Sequence, residues 1–217
     1  MKDLSIDLVK LFKISTTKYG KYASFVVGAT LTFLVLGIVP KIYSMLYAPE
    51  QPTMESQIVS FVITLVQVFL SLGFIKIMLL LVQDKFVEVA DMFNNFRIFL
   101  SYFVASFLYG IAVALGLLLL VVPGIYIFVR FQFYPHIIIE EEISAFAALK
   151  KSFDLSQNLT LELFLLQLVV ITLNILGILL FGVGIVFTYP LTTMATAVAY
   201  KSITDKGDTI PSTAFKA

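Results

Sequence analysis

Four long stretches of the chain contain no Asp, Glu, Lys or Arg, and shorter polar segments separate them. These stretches cover residues 22–40, 56–75, 98–129 and 163–200. Each of the last two is about twice the ~20 residues that one membrane crossing needs, and each has a breaker near its middle. The breakers are Val122-Pro123-Gly124 and Phe181-Gly182-Val183-Gly184. Because Pro cannot continue a helix and Gly tolerates a tight turn, we interpret both stretches as helical hairpins.

With the hairpins, the pattern predicts six membrane-spanning helices. They cover residues 22–46, 56–82, 98–121, 125–139, 160–181 and 185–201. The basic residues concentrate on the side of the N-terminus, and Lys41 alone lies nearer the other side. The positive-inside rule therefore predicts both termini in the cytoplasm. We expect residues 1–203 to form one membrane domain and residues 204–217 a cytoplasmic tail; the outer loop, residues 47–55, is too short for an enzyme domain.

Three polar segments predicted on the cytoplasmic side have helical periodicity. In residues 4–12, 86–96 and 143–153, apolar residues recur at spacings of three and four, with charged residues opposite. This pattern is typical of helices that lie in the membrane interface, and short linkers are the alternative. The predicted fold class is therefore an all-α integral membrane protein: a six-transmembrane-helix bundle with three amphipathic interfacial helices on the cytoplasmic side.

The composition agrees with this class and excludes several others. Of the 217 residues, 59% are hydrophobic and 13% are charged, against about 45–50% and about 25% in soluble domains. A net charge of +1 argues against a nucleic-acid partner. The absence of cysteine excludes disulfides and thiolate metal sites. The single histidine cannot hold a metal without several borrowed carboxylates, so we expect no metal and no cofactor.

Arg130 is the candidate for an intramembrane site. It lies six residues after Gly124, which places it about 9 Å from the outer hairpin tip. Asn174, Tyr189 and Glu55 are predicted near the same side, and together they form a candidate polar cluster. A buried arginine of this kind either joins spans as a polar staple or binds an anion such as a lipid phosphate.

His136 and Glu140 form a second polar pair, predicted at the inner end of the fourth span. Their spacing of four puts them on one helical face. Glu140, Glu141 and Glu142 point about 100° apart around a helix, so they cannot converge on one ligand. We expect these acids to stabilise the dipole of the helix that follows. No catalytic residue is predicted, since no base and nucleophile are paired.

Several motifs carry a resemblance to known proteins. They are Pro123-Gly124-Ile125, Arg130-Phe131, Tyr134, Ala148-Leu149-Lys150-Lys151-Ser152, Gly182-Val183-Gly184, Tyr189-Pro190 and Ala199-Tyr200. The chain resembles bacterial six-span inner-membrane families of unknown function related to the membrane domain of glycerophosphodiester phosphodiesterases, mainly over residues 96–203. The resemblance implies a location in the bacterial inner membrane. It does not extend to hydrolysis, because the carboxylate and histidine metal ligands of the phosphodiesterase domain have no counterpart here.

Three functions compete at this stage. The first is a non-enzymatic accessory or scaffold subunit of a bacterial envelope complex, with membrane lipids and other membrane proteins, such as secretion or insertion machinery, as partners. The second is a carrier, channel or lipid-handling protein, whose polar side chains should meet in one cavity. Those side chains are Arg130, Asn174, Gln67, Gln132, Gln167 and His136. The third, an intramembrane enzyme, has the least support.

Overall fold

The computed structural model describes residues 6–47, 53–180 and 182–207, and within them it contains helices and no strands. The all-α prediction is therefore confirmed for this part of the chain. The nine α-helices are α1 (Leu8–Lys21), α2 (Ala23–Tyr47), α3 (Met54–Val82), α4 (Phe96–Leu119), α5 (Val121–Arg130), α6 (Tyr134–Glu141), α7 (Ala145–Leu155), α8 (Thr160–Leu179) and α9 (Ile185–Gly207). Predictions made for Leu4, for most of the outer loop and for residues 208–217 lie outside the described residues.

The predicted spans overlap α2, α3, α4, the pair α5 and α6, α8 and α9, but α9 continues past the predicted end at residue 201 to Gly207. Four described stretches are long and apolar enough to cross a membrane: Met54–Val82, Phe96–Leu119, Val121–Glu141 and Thr160–Leu179. A fifth qualifies if α1 and the first part of α2 count together. These stretches expose many large apolar side chains, as expected of helices that face lipid.

Helix α9 is enclosed by other helices over much of its length. It contacts α1, α2, α3 and α8, and most of its side chains from Pro190 to Tyr200 are buried. Threonine and tyrosine residues along it reduce its hydropathy, and it is not among the stretches that qualify as spans by composition. Helix α9 therefore forms the centre of the bundle.

Helix α1 lies across one end of this bundle. It begins at its N-cap Asp7, whose carboxylate accepts a hydrogen bond from the Lys10 amide at 3.1 Å. It ends at Tyr22, where the chain bends by 89° into α2. Leu11 and Ser15, four residues apart, are its buried positions. The helix is thus buried along one face, and it begins later and extends further than residues 4–12.

The connection from α3 to α4 differs from the prediction. Residues 86–96 form one 3-10 turn, Val89–Met92, instead of an amphipathic helix. Met92 is fully buried, and its carbonyl oxygen would lie 2.0 Å from a Cβ atom at Gly73. This close packing against α3 holds the segment in a compact turn, which the helical spacing of its apolar residues did not reveal.

Asp84 follows the C-cap of α3 and connects this end of the helix to α1. Its φ of 55° is left-handed, and the amide of Lys85 donates to the Leu80 carbonyl, as in a Schellman motif. Glycine is the usual residue here, but the Asp84 carboxylate binds Lys18 and Lys21 of α1. The hydrogen bond from Lys18, and to a lesser extent that from Lys21, lowers the pKa of Asp84 to about 2.

We call the end of the bundle with the α3–α4 and α6–α7 connections the inner end, and the end with the α4–α5 and α8–α9 hairpins the outer end. In the α4–α5 hairpin the turn is at Leu120, earlier than predicted. Pro123 lies inside the first turn of α5, where no helical hydrogen bond from its nitrogen is required. A Cβ at Gly116 would lie 2.8 Å from the Gly124 Cα, so the hairpin requires glycine there.

The α8–α9 hairpin turns where the sequence predicts. Gly182 has a φ of +74°, which favours glycine. Gly177 of α8 packs against Gly184, where a Cβ would lie 2.7 Å from the Gly177 carbonyl oxygen. Close backbone contact between short-linked helices therefore shapes the outer end.

Candidate functional site

The fourth predicted span is broken in its middle. Helix α5 ends at Arg130, residues 131–133 form a turn, and α6 begins at Tyr134. Pro135, in the first turn of α6, has no N–H and clashes with helical backbone four residues earlier. That position is Phe131, which is where α5 has just ended. The break follows from the proline.

Ser152 of α7 and Ser156, the C-cap of that helix, bind the backbone groups that the break leaves without helical partners. The Ser152 hydroxyl accepts from the Phe133 amide at 3.1 Å and donates to the Arg130 carbonyl at 3.0 Å. The Ser156 hydroxyl also donates to the Arg130 carbonyl, at 3.1 Å. Both serines are fully buried. In a bilayer a broken helix is tolerated where such side chains satisfy its backbone, so α7 supplies what the fourth predicted span would need.

The Arg130 side chain is buried beside this break. It is 2% exposed, and its Nη1 donates to the Thr160 hydroxyl at 3.4 Å. Its Cζ lies 3.9 Å from the ring centre of Phe153 and 5.3 Å from that of Tyr126. Among the described residues its Nε has no partner and no carboxylate forms an ion pair with it. A cation at membrane depth costs at least about 2–3 kcal/mol, so this arrangement needs an explanation.

The four residues of the predicted outer cluster do not meet. Asn174 donates to Thr192 at 3.0 Å, and Tyr189 stacks on Phe33 and Phe74. Glu55 is exposed in the first turn of α3. Arg130 contacts Thr160, the first residue of α8, and so its guanidinium lies beside the inner end of that helix. The prediction failed because α5 begins before Gly124 and because the long side chain extends toward α8.

Most of the polar side chains proposed for a cavity instead form hydrogen bonds with a neighbouring segment of the bundle. Gln167 donates to Gln132, Gln67 donates to the Gly37 carbonyl at 3.1 Å, and Asn174 is paired as above. A described cavity of about 180 Å³ is lined mainly by apolar residues of α2 and α3, and Gln67 is the member of the set beside it. Among the described residues, only Gln132 and Gln167 of the six are joined directly.

His136 and Glu140 are linked through Tyr200. The imidazole of His136 stacks on the Tyr200 ring with centres 5.3 Å apart, and the Tyr200 hydroxyl donates to Glu140 at 2.9 Å. Both ring nitrogens of His136 lack a partner in the described part of the chain. Glu140 also accepts from Lys201 at 3.1 Å and from Gln83 of α3. It therefore connects α3, α6 and α9 at the inner end.

The three consecutive glutamates have separate partners, as their spacing predicts. Glu141 binds Lys151 of α7 at 2.7 Å, and Glu142 pairs with Arg97 of α4 at 3.3 Å. The expected dipole role was wrong, because Glu140 and Glu141 end α6 and the first turn of α7 contains no acidic residue. Glutamate at a helix C-terminus is unfavourable for the dipole, and the cations of other helices compensate for it.

Sequence reasoning missed the serines and the aromatic partner of Arg130. Ser152 and Ser156 share a helical face with Ala145 and Ala148, which are also buried. That small-residue face, read together with the break at Pro135, could have indicated a helix packed closely against the broken span. The contact between Arg130 and Phe153 had no comparable signal, since it depends on how α7 folds back along α6.

In its described residues the protein is helical, and several of these helices are long and apolar enough for a membrane location. Over residues 112–207, which include the break, α7 and Glu140 with its partners Tyr200 and Lys201, the chain is similar to a family described as a protein of unknown function, DUF975. No curated protein and no solved structure matches the chain. Nothing in these comparisons links the chain to the membrane domain of glycerophosphodiester phosphodiesterases.

Proposed function

We propose that the chain is a non-enzymatic accessory or scaffold subunit that spans the bacterial inner membrane six times, with both termini in the cytoplasm. The observation that carries the proposal is the pairing of polar side chains between helices. The Gln132–Gln167 pair joins the turn after α5 to α8, and the Asn174–Thr192 pair joins α8 to α9. Polar groups used in this way stabilise a bundle and are not free to line a pathway.

The position of α1 supports an interfacial role for its amphipathic surface. It lies at 89° to α2, and so it would run along the inner membrane surface if α2 crosses the bilayer. Exposed aromatic side chains at the same end fit contact with a leaflet or a partner. Phe86 and Phe96 are 88% and 79% exposed. We expect the partners to be membrane lipids and other membrane proteins of an envelope complex.

The experiment asks whether the chain co-purifies with a partner protein, and whether its function depends on the Gln132–Gln167 pair. The tagged full chain is purified in mild detergent, passed through size exclusion, and analysed for proteins that co-elute at fixed stoichiometry. The double variant Gln132→Leu/Gln167→Leu removes both halves of one pair, which is close to neutral for folding. The matched control Gln132→Leu leaves Gln167 unpaired and should be the less stable variant.

An accessory subunit predicts a stoichiometric membrane-protein partner that the double variant retains. The opposite result is a chain that elutes alone and moves a solute into vesicles, with transport lost in the folded double variant. That result would favour the carrier or channel function instead.

A further inference from the structure

Arg130 lacks a counter-charge within the described chain. Its guanidinium has five N–H donors, and the described residues supply one acceptor, the Thr160 hydroxyl at 3.4 Å. Its Nε is buried without a partner. Burying a charge is costly unless the charge is paired and hydrogen-bonded. The site is therefore incomplete without an external acceptor that carries negative charge.

The aromatic neighbours decide where such an acceptor can bind. Phe153 lies over the guanidinium at 3.9 Å and Tyr126 lies at 5.3 Å, so these rings occupy positions around the cation by cation–π contact. The N–H groups point outward in the guanidinium plane, where Nε remains free. A planar fork of this kind matches two oxygens of one phosphate.

The surroundings provide further donors and a route of access. Helix α8 begins beside the guanidinium at Thr160, and no side chain caps its N-terminus. The free amides of a first helical turn favour an anion. Glu162 in that turn is half-buried and does not pair with Arg130. Tyr126 is 43% exposed, so the site borders the lipid-facing surface of α5.

We propose that Arg130, with Thr160 and the aromatic pair Tyr126 and Phe153, forms a binding site for a phosphate-type anion at the inner end of α8. The anion is either the headgroup phosphate of a phospholipid or a soluble phosphate. The site is independent of the accessory role, because it requires no protein partner.

The test measures binding of two probes to the purified full chain and its variants. Native mass spectrometry with added phosphatidylglycerol gives the lipid affinity, and thermal shift with inorganic phosphate in lipid-free detergent tests the soluble anion. Arg130→Gln removes the charge, and Arg130→Lys keeps it without the fork. The matched control is Arg97→Gln, which removes the exposed charge of the chain's other arginine at the same end.

We expect Arg130→Gln to weaken binding of one phosphatidylglycerol about tenfold or more, Arg130→Lys to weaken it less, and Arg97→Gln to leave it unchanged. A thermal shift with inorganic phosphate that Arg130→Gln abolishes would identify the soluble source. Equal binding of both probes by the wild type and Arg130→Gln would overturn the proposal, as would an equal loss in Arg97→Gln. If Arg130→Gln does not fold, Phe153→Leu and Arg130→Lys replace it, and wild-type affinity in both would overturn the proposal.

Discussion

The two ends of the bundle are held together by different interactions. At the outer end, glycines allow helix backbones to touch, with Gly116 against Gly124 and Gly177 against Gly184. At the inner end, ion pairs join helices that are further apart in sequence, as with Asp84 and Lys18, and with Glu140 and Lys201. The outer contacts depend on shape, and the inner contacts depend on charge.

This difference is expected if the inner end faces water and lipid headgroups and the hairpins lie in apolar surroundings. Charged networks are tolerated where water or lipid headgroups are near, and tight apolar hairpins need little besides close packing. Mutations at the outer end should therefore act through steric clash and be insensitive to pH. Mutations at the inner end should cause smaller losses of stability, and some of these losses should depend on pH.

The largest effect is expected from a side chain at the α4–α5 contact. Gly116→Val places a Cβ 2.8 Å from the Gly124 backbone, and overpacking of this kind costs about 3 kcal/mol. Gly110→Val is the control, because a Cβ there meets no atom within 4 Å. The free energy of unfolding in mixed micelles should fall in the first variant alone. Equal losses would mean that the hairpin is not closely packed.

The serine hydrogen bonds at the break between α5 and α6 predict unequal effects of two similar mutations. Ser152→Ala leaves the Phe133 amide without a partner, whereas Ser156→Ala leaves the Arg130 carbonyl bound to Ser152. A buried orphaned donor costs about 1–3 kcal/mol. We expect a loss of about 2 kcal/mol for Ser152→Ala and less than about 1 kcal/mol for Ser156→Ala, measured as above. A larger loss in Ser156→Ala would contradict the assigned roles.

The sequence predicted the helices better than the site. Uncharged runs located α2, α3, α4 and α8 within a few residues because a long apolar stretch has few alternatives to a helix in lipid. Arg130 and its partners could not be placed, because α7 folds back along α6 and brings Phe153 to a residue 23 positions earlier. The compact turn at Met92 was missed for a similar reason, since it depends on Gly73 of another helix.

Charge removal at the inner end should have a moderate effect where the carboxylate connects several helices. Glu140→Gln loses the ion pair to Lys201 but can still accept from Tyr200, so we expect a loss of about 1 kcal/mol. Glu142→Gln is the comparison, because its partner Arg97 is 87% exposed and the pair contributes little. Thermal unfolding of both variants in detergent should show the larger decrease for Glu140→Gln. The reverse order would show that the Glu140 contacts do not connect the helices.

The smallest expected effect is the pH dependence of the α1 attachment. The pKa of Asp84 is about 2 in the folded protein, below the ordinary value of about 3.9, so its ion pairs stabilise the fold above about pH 4. This contribution is lost as the pH falls from about 4 through 2. Because Asp84 is 48% exposed, we expect Asp84→Asn to be less stable by less than about 1 kcal/mol at pH 7. The difference between the two proteins should vanish near pH 2, and a constant difference would contradict the assignment.

We expect the inner and outer ends of the bundle to lie on opposite sides of the membrane. Single cysteines can test it directly, because the native chain has none. Val183→Cys marks the α8–α9 turn at the outer end, and Lys85→Cys marks the connection after α3 at the inner end; both positions are exposed. An impermeant thiol reagent should label Val183→Cys in intact cells and Lys85→Cys only after permeabilisation. Labelling of both variants in intact cells, or of Lys85→Cys alone, would contradict this orientation of the two ends.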